Sequence, residues 1–379
     1  MASKRSIFED VGSQVPASAR ATGMIDAGRG GARRGIRLWL MVLFALVVVM
    51  ISVGGLTRLT DSGLSITEWR PFTGAMPPMH DADWRAEFAL YQQIPEFQVQ
   101  NSWMTLEDFK AIYWWEWGHR QLGRVIGLVW AVGFVGFALA RQIPTGWTGR
   151  LLLLGALGGL QGAVGWWMVS SGLDGDATDV ASYRLATHLG LAFVILGFIA
   201  WYSLLLSRPE RVLMQARRTR EARLFGLSTG WVHFAFLQIL IGALVAGIDA
   251  GRSFAEWPLM AGGLWPPQML VIEPAWRNFF ENPGTVQFIH RMVGYALLAF
   301  SVMVWLRARR SANGATRAAF TLAFVALLAQ VALGIVTVVL AAPWQVAIVH
   351  QLLAVTLWVL ILRARFYAGY PVQQSVRGS

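Results

Sequence analysis

Eight apolar runs, each long enough to cross lipid, constrain this chain more than anything else in it. They run roughly Leu38–Leu56, His119–Ala140, Leu151–Ser170, Leu185–Leu206, Gly226–Ile248, Val286–Leu306, Ala318–Leu340 and Val346–Leu362. A helix needs about 20 mostly apolar residues to span the hydrocarbon of a bilayer. Inside lipid every backbone N–H and C=O must find its partner within the segment, so such runs fold as helices. Composition agrees, with 14% of residues charged against about a quarter in a soluble domain. The expected fold class is an all-α membrane protein with eight transmembrane helices.

The net charge of +11 would suit a nucleic-acid binder, but the arginines sit in short loops between apolar runs, so the expected surroundings are a lipid bilayer and no nucleic acid. The absence of cysteine excludes disulfides, thiolate metal sites, iron–sulfur clusters and a cysteine nucleophile. Any redox chemistry therefore needs a bound cofactor. With both termini placed in the cytosol, the inside segments hold 22 Lys and Arg against 10 outside. Asp and Glu show the reverse, 5 against 16. This is the positive-inside pattern of a multi-pass protein. Residues 1–37 lack the apolar stretch of a cleaved signal, and Glu9, Asp10 and Asp26 argue against a mitochondrial transit segment. They read as a disordered cytosolic tail, and the bacterial inner (cytoplasmic) membrane is expected in preference to the mitochondrial inner membrane.

The chain repeats itself. Ser65-Ile66-Thr67-Glu68-Trp69 after the first run matches Ser253-Phe254-Ala255-Glu256-Trp257 after the fifth. Met76-Pro77-Pro78 matches Trp265-Pro266-Pro267, and Gln161 and Gly165 match Gln330 and Gly334. Four spans per half give both halves one orientation, a parallel repeat of two four-helix bundles. The expected organisation is a tail at 1–37, a first half at 38–206 with a long outer loop at 57–118, and a basic cytosolic linker at 207–225. A second half follows at 226–362, then a cytosolic tail at 363–379. The two long outer loops, 57–118 and about 249–285, are expected to carry interfacial helices near Trp84–Gln93, Phe109–Trp117 and Trp276–Phe280.

Four of the six histidines obey the repeat. His119, His188, His290 and His350 open the second, fourth, sixth and eighth runs, all of which enter from outside, so they share one depth. An ionisable group within a span is costly and points to function. Zinc would want a third or fourth ligand, and only the first half offers a nearby carboxylate, Glu116. A flat haem wants one axial ligand on each face, which two helices can supply. Gly123, Gly127, Gly294 and the glycines between Gly155 and Gly165 would let helices approach such a ring. Arg120, Arg124 and Arg291 are candidate partners for haem propionates. The halves differ at Glu116, which stands three residues before His119 where Gln287 precedes His290. A carboxylate beside one site alone assigns chemistry to the first half and a structural or electron-transfer cofactor to the second.

With these motifs the chain resembles haem A synthase of the type shared by alphaproteobacteria and mitochondria. The resemblance rests on Gly54-Gly55-Leu56-Thr57-Arg58-Leu59-Thr60, Ser62-Gly63-Leu64-Ser65, Glu116-x-x-His119-Arg120, Gly247-x-Asp249-Ala250-Gly251, Phe288-Ile289-His290-Arg291 and Val349-His350-Gln351. It covers about Leu38 to Leu362. It implies an oxidoreductase that converts haem O to haem A by successive hydroxylations of a ring methyl, which end in a formyl group. It further implies haem b as a cofactor on His290 and His350, the substrate haem on His119 and His188, and Glu116 as catalytic. Haem O delivered by a haem O synthase, an unidentified electron donor and a possible oligomer complete the expected partners. Some members carry a cysteine pair in the first outer loop; a thiol role cannot operate here. The alternative is a diheme b-type electron-transfer protein without substrate chemistry, and a transporter is a further rival.

Overall fold

The computed structural model describes residues 29–173 and 175–373. In chain order its helices are α1 (Arg29–Leu59), α2 (Asp81–Tyr91), α3 (Leu106–Leu139), α4 (Thr148–Val169), α5 (Ser182–Leu206) and α6 (Glu210–Arg218). They continue as α7 (Ala222–Gly247), α8 (Ala250–Ser253), α9 (Asn278–Glu281), α10 (Pro283–Ala308), α11 (Gly314–Val339) and α12 (Trp344–Gly369). Eight of them, α1, α3, α4, α5, α7, α10, α11 and α12, are long and apolar enough to cross a membrane. Among the described residues no strand forms. The chain is an all-α, multi-pass membrane protein.

Helix packing closes two rings. In the first, α1 and α4 each pack on both α3 and α5. In the second, α7 and α11 each pack on both α10 and α12. The order of neighbours is the same in both, so each run of four spans surrounds its own interior. The rings meet where α5 touches α7 and α12 and where α1 touches α12. A shared apolar core fills that seam, with Leu40, Leu196, Trp231, Phe320 and Ile361 fully enclosed. Trp358 Nε1 donates to the Phe193 carbonyl at 3.0 Å across the seam, so the buried indole N–H is not left unpaired. At the end that carries the two long loops Arg58, from α1, reaches Asp249, just beyond α7, at 2.9 Å. At the opposite end of the bundle Arg33 donates to the carbonyls of Leu205 and Arg208.

Several boundaries differ from the sequence expectation. α1 begins at Arg29, inside the segment read as a polar tail, because Arg33 finds carbonyl partners at the end of α5. The remainder of that tail, residues 1–28, lies outside the described residues. Phe109–Trp117 is not a separate interfacial helix but the outer extension of α3. That helix starts at a capping box in which Thr105 and Asp108 satisfy each other's backbone N–H. The linker 207–225 contains α6, and α12 continues past Leu362 to Gly369 because its arginines lie over rings, Arg365 4.2 Å above Phe225. The expected helix near Trp84–Gln93 is α2, and that near Trp276–Phe280 is a short turn, Ala275–Arg277, running into α9.

The two outer loops are built differently. The first forms a second apolar core of Leu64, Ile66, Trp84, Tyr91, Ile94, Phe109 and Tyr113, closed by Val169 and Val180. This cap covers the outer end of the first ring. The second loop contributes to no such cluster among the described residues.

Candidate functional site

Each of the four repeated histidines lies with its imidazole edge on a glycine of the neighbouring helix. A Cβ built on Gly54 of α1 would stand 2.8 Å from His119 Cε1, and one on Gly165 of α4 would stand 2.8 Å from His188 Cε1. The corresponding distances are 3.1 Å from Gly242 of α7 to His290 and 3.0 Å from Gly334 of α11 to His350. Any larger residue would displace the ring. Each ring is therefore packed against a neighbouring helix of its own half. His119 and His188 lie within electrostatic reach of each other, as do His290 and His350. His80 and His233, which have no counterpart in the other half, are exposed and join neither pair.

Three of the imidazoles are clamped by an amide four residues before the glycine that cradles them. Gln161 Nε2 donates to the His188 carbonyl at 3.0 Å and lies 3.2 Å from its Nδ1. Gln238 Nε2 donates to the His290 carbonyl at 3.0 Å and lies 3.1 Å from its Nδ1. Gln330 Nε2 donates to the His350 carbonyl at 3.1 Å and lies 3.2 Å from its Nε2. Such an amide fixes the ring's rotamer, as outer partners of ligating histidines do. The amide oxygens of all three glutamines are buried and without partner. Sequence reasoning used Gln161 and Gln330 only as repeat markers and missed Gln238. The available signal was the spacing Gln-x-x-x-Gly, at 161–165, 238–242 and 330–334.

Glu116 is 3% exposed and carries four donors. Its Oε2 accepts from Ser65 Oγ at 2.8 Å and from the Ile66 N–H at 2.7 Å. Its Oε1 accepts from Arg120 Nε at 3.0 Å and Nη2 at 2.5 Å. Gln287, at the matching place, reaches the matching loop residue with the opposite polarity. Its Nε2 donates to the Phe254 carbonyl at 3.2 Å, and its Oε1 has no partner. The arginines behave alike in both halves. Arg120 donates to the carbonyls of Ile66 and Glu68, Arg124 to those of Arg70 and Pro71, and Arg291 to those of Phe254 and Leu259. Each arginine thereby ties its outer loop to the span beneath. A cleft of 460 Å³ opens beside Arg120 and Arg124, also lined by Arg70, Glu87, Tyr113 and Trp117.

The donor set suits a flat iron porphyrin better than a bare ion. Among the described residues no three His, Cys, Asp or Glu side chains converge as a metal-ion site. Two imidazoles facing one interior form a two-ligand set, which is what an axially ligated haem requires. Beside His188, Cβ atoms on Gly158 and Gly162 would meet nothing within 4 Å, so a strip of α4 backbone faces open space. The matching positions in α11 are Leu327, which is buried, and Val331. The first ring is therefore the roomier one along this face.

Residues 37–362 match the model of the cytochrome oxidase assembly protein family, COX15-CtaA. The chain is 71% identical over 380 residues to a haem A synthase of Ruegeria pomeroyi, covering 100% of both chains. It is 63% identical over 382 residues to that of Roseobacter denitrificans, again covering 100% of both. It is 61% identical over 377 residues to that of Paracoccus denitrificans, covering 99% of both.

Proposed function

The chain belongs to the cytochrome oxidase assembly protein family, and from that premise we propose how its two histidine pairs divide one oxidation. The protein is an oxidoreductase that converts haem O to haem A, a ring methyl becoming a formyl group. The pair His119 and His188 holds haem O as substrate and haem A as product. The pair His290 and His350 holds haem b, which supplies one-electron chemistry when bound. The two rings of helices are repeats of one unit, and each carries one site.

The observation that carries this division is the polarity reversal between Glu116 and Gln287. A carboxylate that accepts from Ser65, Ile66 and twice from Arg120 has no proton to give in that arrangement. Its geometry fits a fixed negative charge, held one helical turn from His119, better than a proton shuttle. Preorganised charge of that kind stabilises positive charge that develops at the reacting methyl carbon. Gln287 is neutral, and its amide is turned outward to a loop carbonyl, so the second site lacks this element. The open strip at Gly158 and Gly162 gives the first site room for the isoprenoid tail of haem O.

Arg120 and Arg124 edge the cleft above the first site and are suited to haem propionates, and Arg291 has a buried Nε free of partners for the same role in the second. Haem O reaches the site laterally from the bilayer, supplied by a haem O synthase, and an external donor provides electrons. The membrane is the bacterial inner membrane, with both termini cytosolic. The test is pigment extraction from the purified protein and from alanine variants of the four histidines. Haem O or haem A that disappears with His119→Ala or His188→Ala, beside haem b that disappears with His290→Ala or His350→Ala, is the expected result. Haem b alone at both pairs overturns the reading in favour of a diheme electron carrier.

A further inference from the structure

The clamp on the histidines is missing at one of the four positions. In α4, α7 and α11 the residue four before the cradling glycine is Gln161, Gln238 or Gln330; in α1 the residue four before Gly54 is Met50. The replacement is spatial as well as sequential. Gln238 Nε2 lies 3.2 Å from where a Cβ on Gly294 would be, and Gly294 is one turn beyond His290. Met50 Cε lies 3.5 Å from where a Cβ on Gly123 would be, and Gly123 is one turn beyond His119. A thioether end thus occupies the place of an amide. It has no hydrogen to donate to the His119 carbonyl or to lay against the ring. Accordingly His119 Nδ1 is buried without a hydrogen-bond partner among the described residues, whereas the other three rings each have their glutamine.

We propose that Met50 makes His119 the exchangeable ligand of the first site, the one imidazole that lets go of the iron while His188, His290 and His350 stay pinned. This deepens, and rests on, the reading that the histidine pairs hold haems. A site that takes in a substrate haem and gives up a product haem must open its axial bonds in every cycle, and opening starts at the imidazole that nothing holds in place, while a site for a resident cofactor must keep both. Two clamped ligands suit retention, and one clamped with one unclamped suits exchange. Met50 is then a positioning residue that acts by what it does not hold. The hydrogen bonds of Glu116 come from Ser65, Ile66 and Arg120 and not from Met50, so this asymmetry rests on a different observation from the one at Glu116 and Gln287.

The experiment is the rate at which cyanide binds the ferric, haem-loaded holoprotein, followed in the Soret band. In the unsubstituted protein one haem is expected to take cyanide readily and the other slowly, and a protein in which both are equally slow overturns the proposal. Met50→Gln supplies the missing donor and is expected to slow the fast phase about tenfold, the lower end of what outer partners of ligating histidines contribute. Met50→Leu, which restores bulk without a donor, leaves that phase unchanged. Gln330→Met releases the clamp on His350 and creates a fast phase at the second haem. An unchanged fast phase in Met50→Gln overturns the proposal, as does a slow second haem in Gln330→Met, and the latter variant decides the matter if the former does not fold. Failure of the underlying reading looks different: the unsubstituted protein would carry no haem whose spectrum responds to His119→Ala or His188→Ala.

Discussion

The two halves share helix order, glycine cradles and arginine loop ties, and they differ at several positions around the histidine pairs. Glu116 stands against Gln287, Met50 against Gln238, and the open backbone at Gly158 and Gly162 against Leu327 and Val331. The first half has a roofed outer end, with its own apolar core over the span ends; the second half does not. A repeat of this kind separates scaffold from specialisation. What both halves keep serves a bound ring in general, and what one half alone has must serve whatever that half does differently. These particular contrasts fall in or over the first ring or at its histidine pair, which is the physical ground for giving the two sites different tasks.

The sharpest way to break the comparison is to remove the matched arginines. Arg120→Ala strips two of four donors from a carboxylate that is 3% exposed in the parent protein. Leaving one partner of a buried ion pair costs about 3–5 kcal/mol. Arg291→Ala removes only two bonds to loop carbonyls, worth about 1–3 kcal/mol together. Thermal unfolding in detergent should therefore show a clearly larger loss for Arg120→Ala. Equal losses would mean that Glu116 is not held as an anion by Arg120.

Next in size is the exchange of the carboxylate itself. Glu116→Gln places an amide where the Ile66 N–H and two arginine nitrogens already donate, so at least one donor faces a donor. Loss of a preorganised charge at a reacting centre costs about a hundredfold in turnover. Haem A formation should fall by that order while haem b content is unchanged. The mirror variant, Gln287→Glu, should leave haem A formation near normal and lower thermal stability, because its carboxylate would face the Phe254 carbonyl. A Glu116→Gln protein with normal turnover removes the functional distinction between the halves.

A smaller effect tests how the halves are joined. Arg58 bonds Asp61 of its own half and Asp249 of the other, each at 2.9 Å, from a side chain 15% exposed. Arg58→Gln should cost about 1 kcal/mol, since both carboxylates are substantially solvated. The loss measured by thermal unfolding should shrink as salt is raised, because screening weakens the pair in the parent protein. A loss that is independent of salt would assign Arg58 a packing role instead.

Much of this comparison was legible in the sequence, for a physical reason. Lipid forbids unpaired backbone, so each span had to announce itself as an apolar run, and the repeat of His119, His188, His290 and His350 at the entering ends was visible without coordinates. Glu116 and Gln287 stood out because the repeat aligned them. What stayed hidden depends on which helix faces which. The relation of Gln238 to His290, or of Met50 to His119, spans 52 and 69 positions of chain and follows only once α7 is laid on α10 and α1 on α3. The outward run of α3 to Leu106 was hidden too, because Trp114, Trp115 and Trp117 read equally well as an interfacial helix.

A last test concerns the cap that the first half alone shows among the described residues. Glu96 is 4% exposed within it, with Oε2 lacking a partner, and Tyr91 and Asn101 close beside it. Burial first, and then the negative charges of Asp179, Glu116 and Asp61, push its carboxyl up to about 8. An unfolded glutamate titrates near 4.3. Between those values the folded cap holds a proton that the unfolded chain does not, so stability is full at low pH and falls as pH rises through this window. It levels off above about 8, and the slope is at most about 1.4 kcal/mol per pH unit for one proton. Amide-exchange protection of α2 and the 92–105 segment should thus decline from pH 5.5 to 8.5, while that of the 250–281 loop stays level. Glu96→Gln, which is neutral throughout, should flatten the decline. If the substituted cap loosens with pH as much as the parent does, the buried carboxyl is not its cause, and the contrast between a roofed and an unroofed half would be one of packing alone.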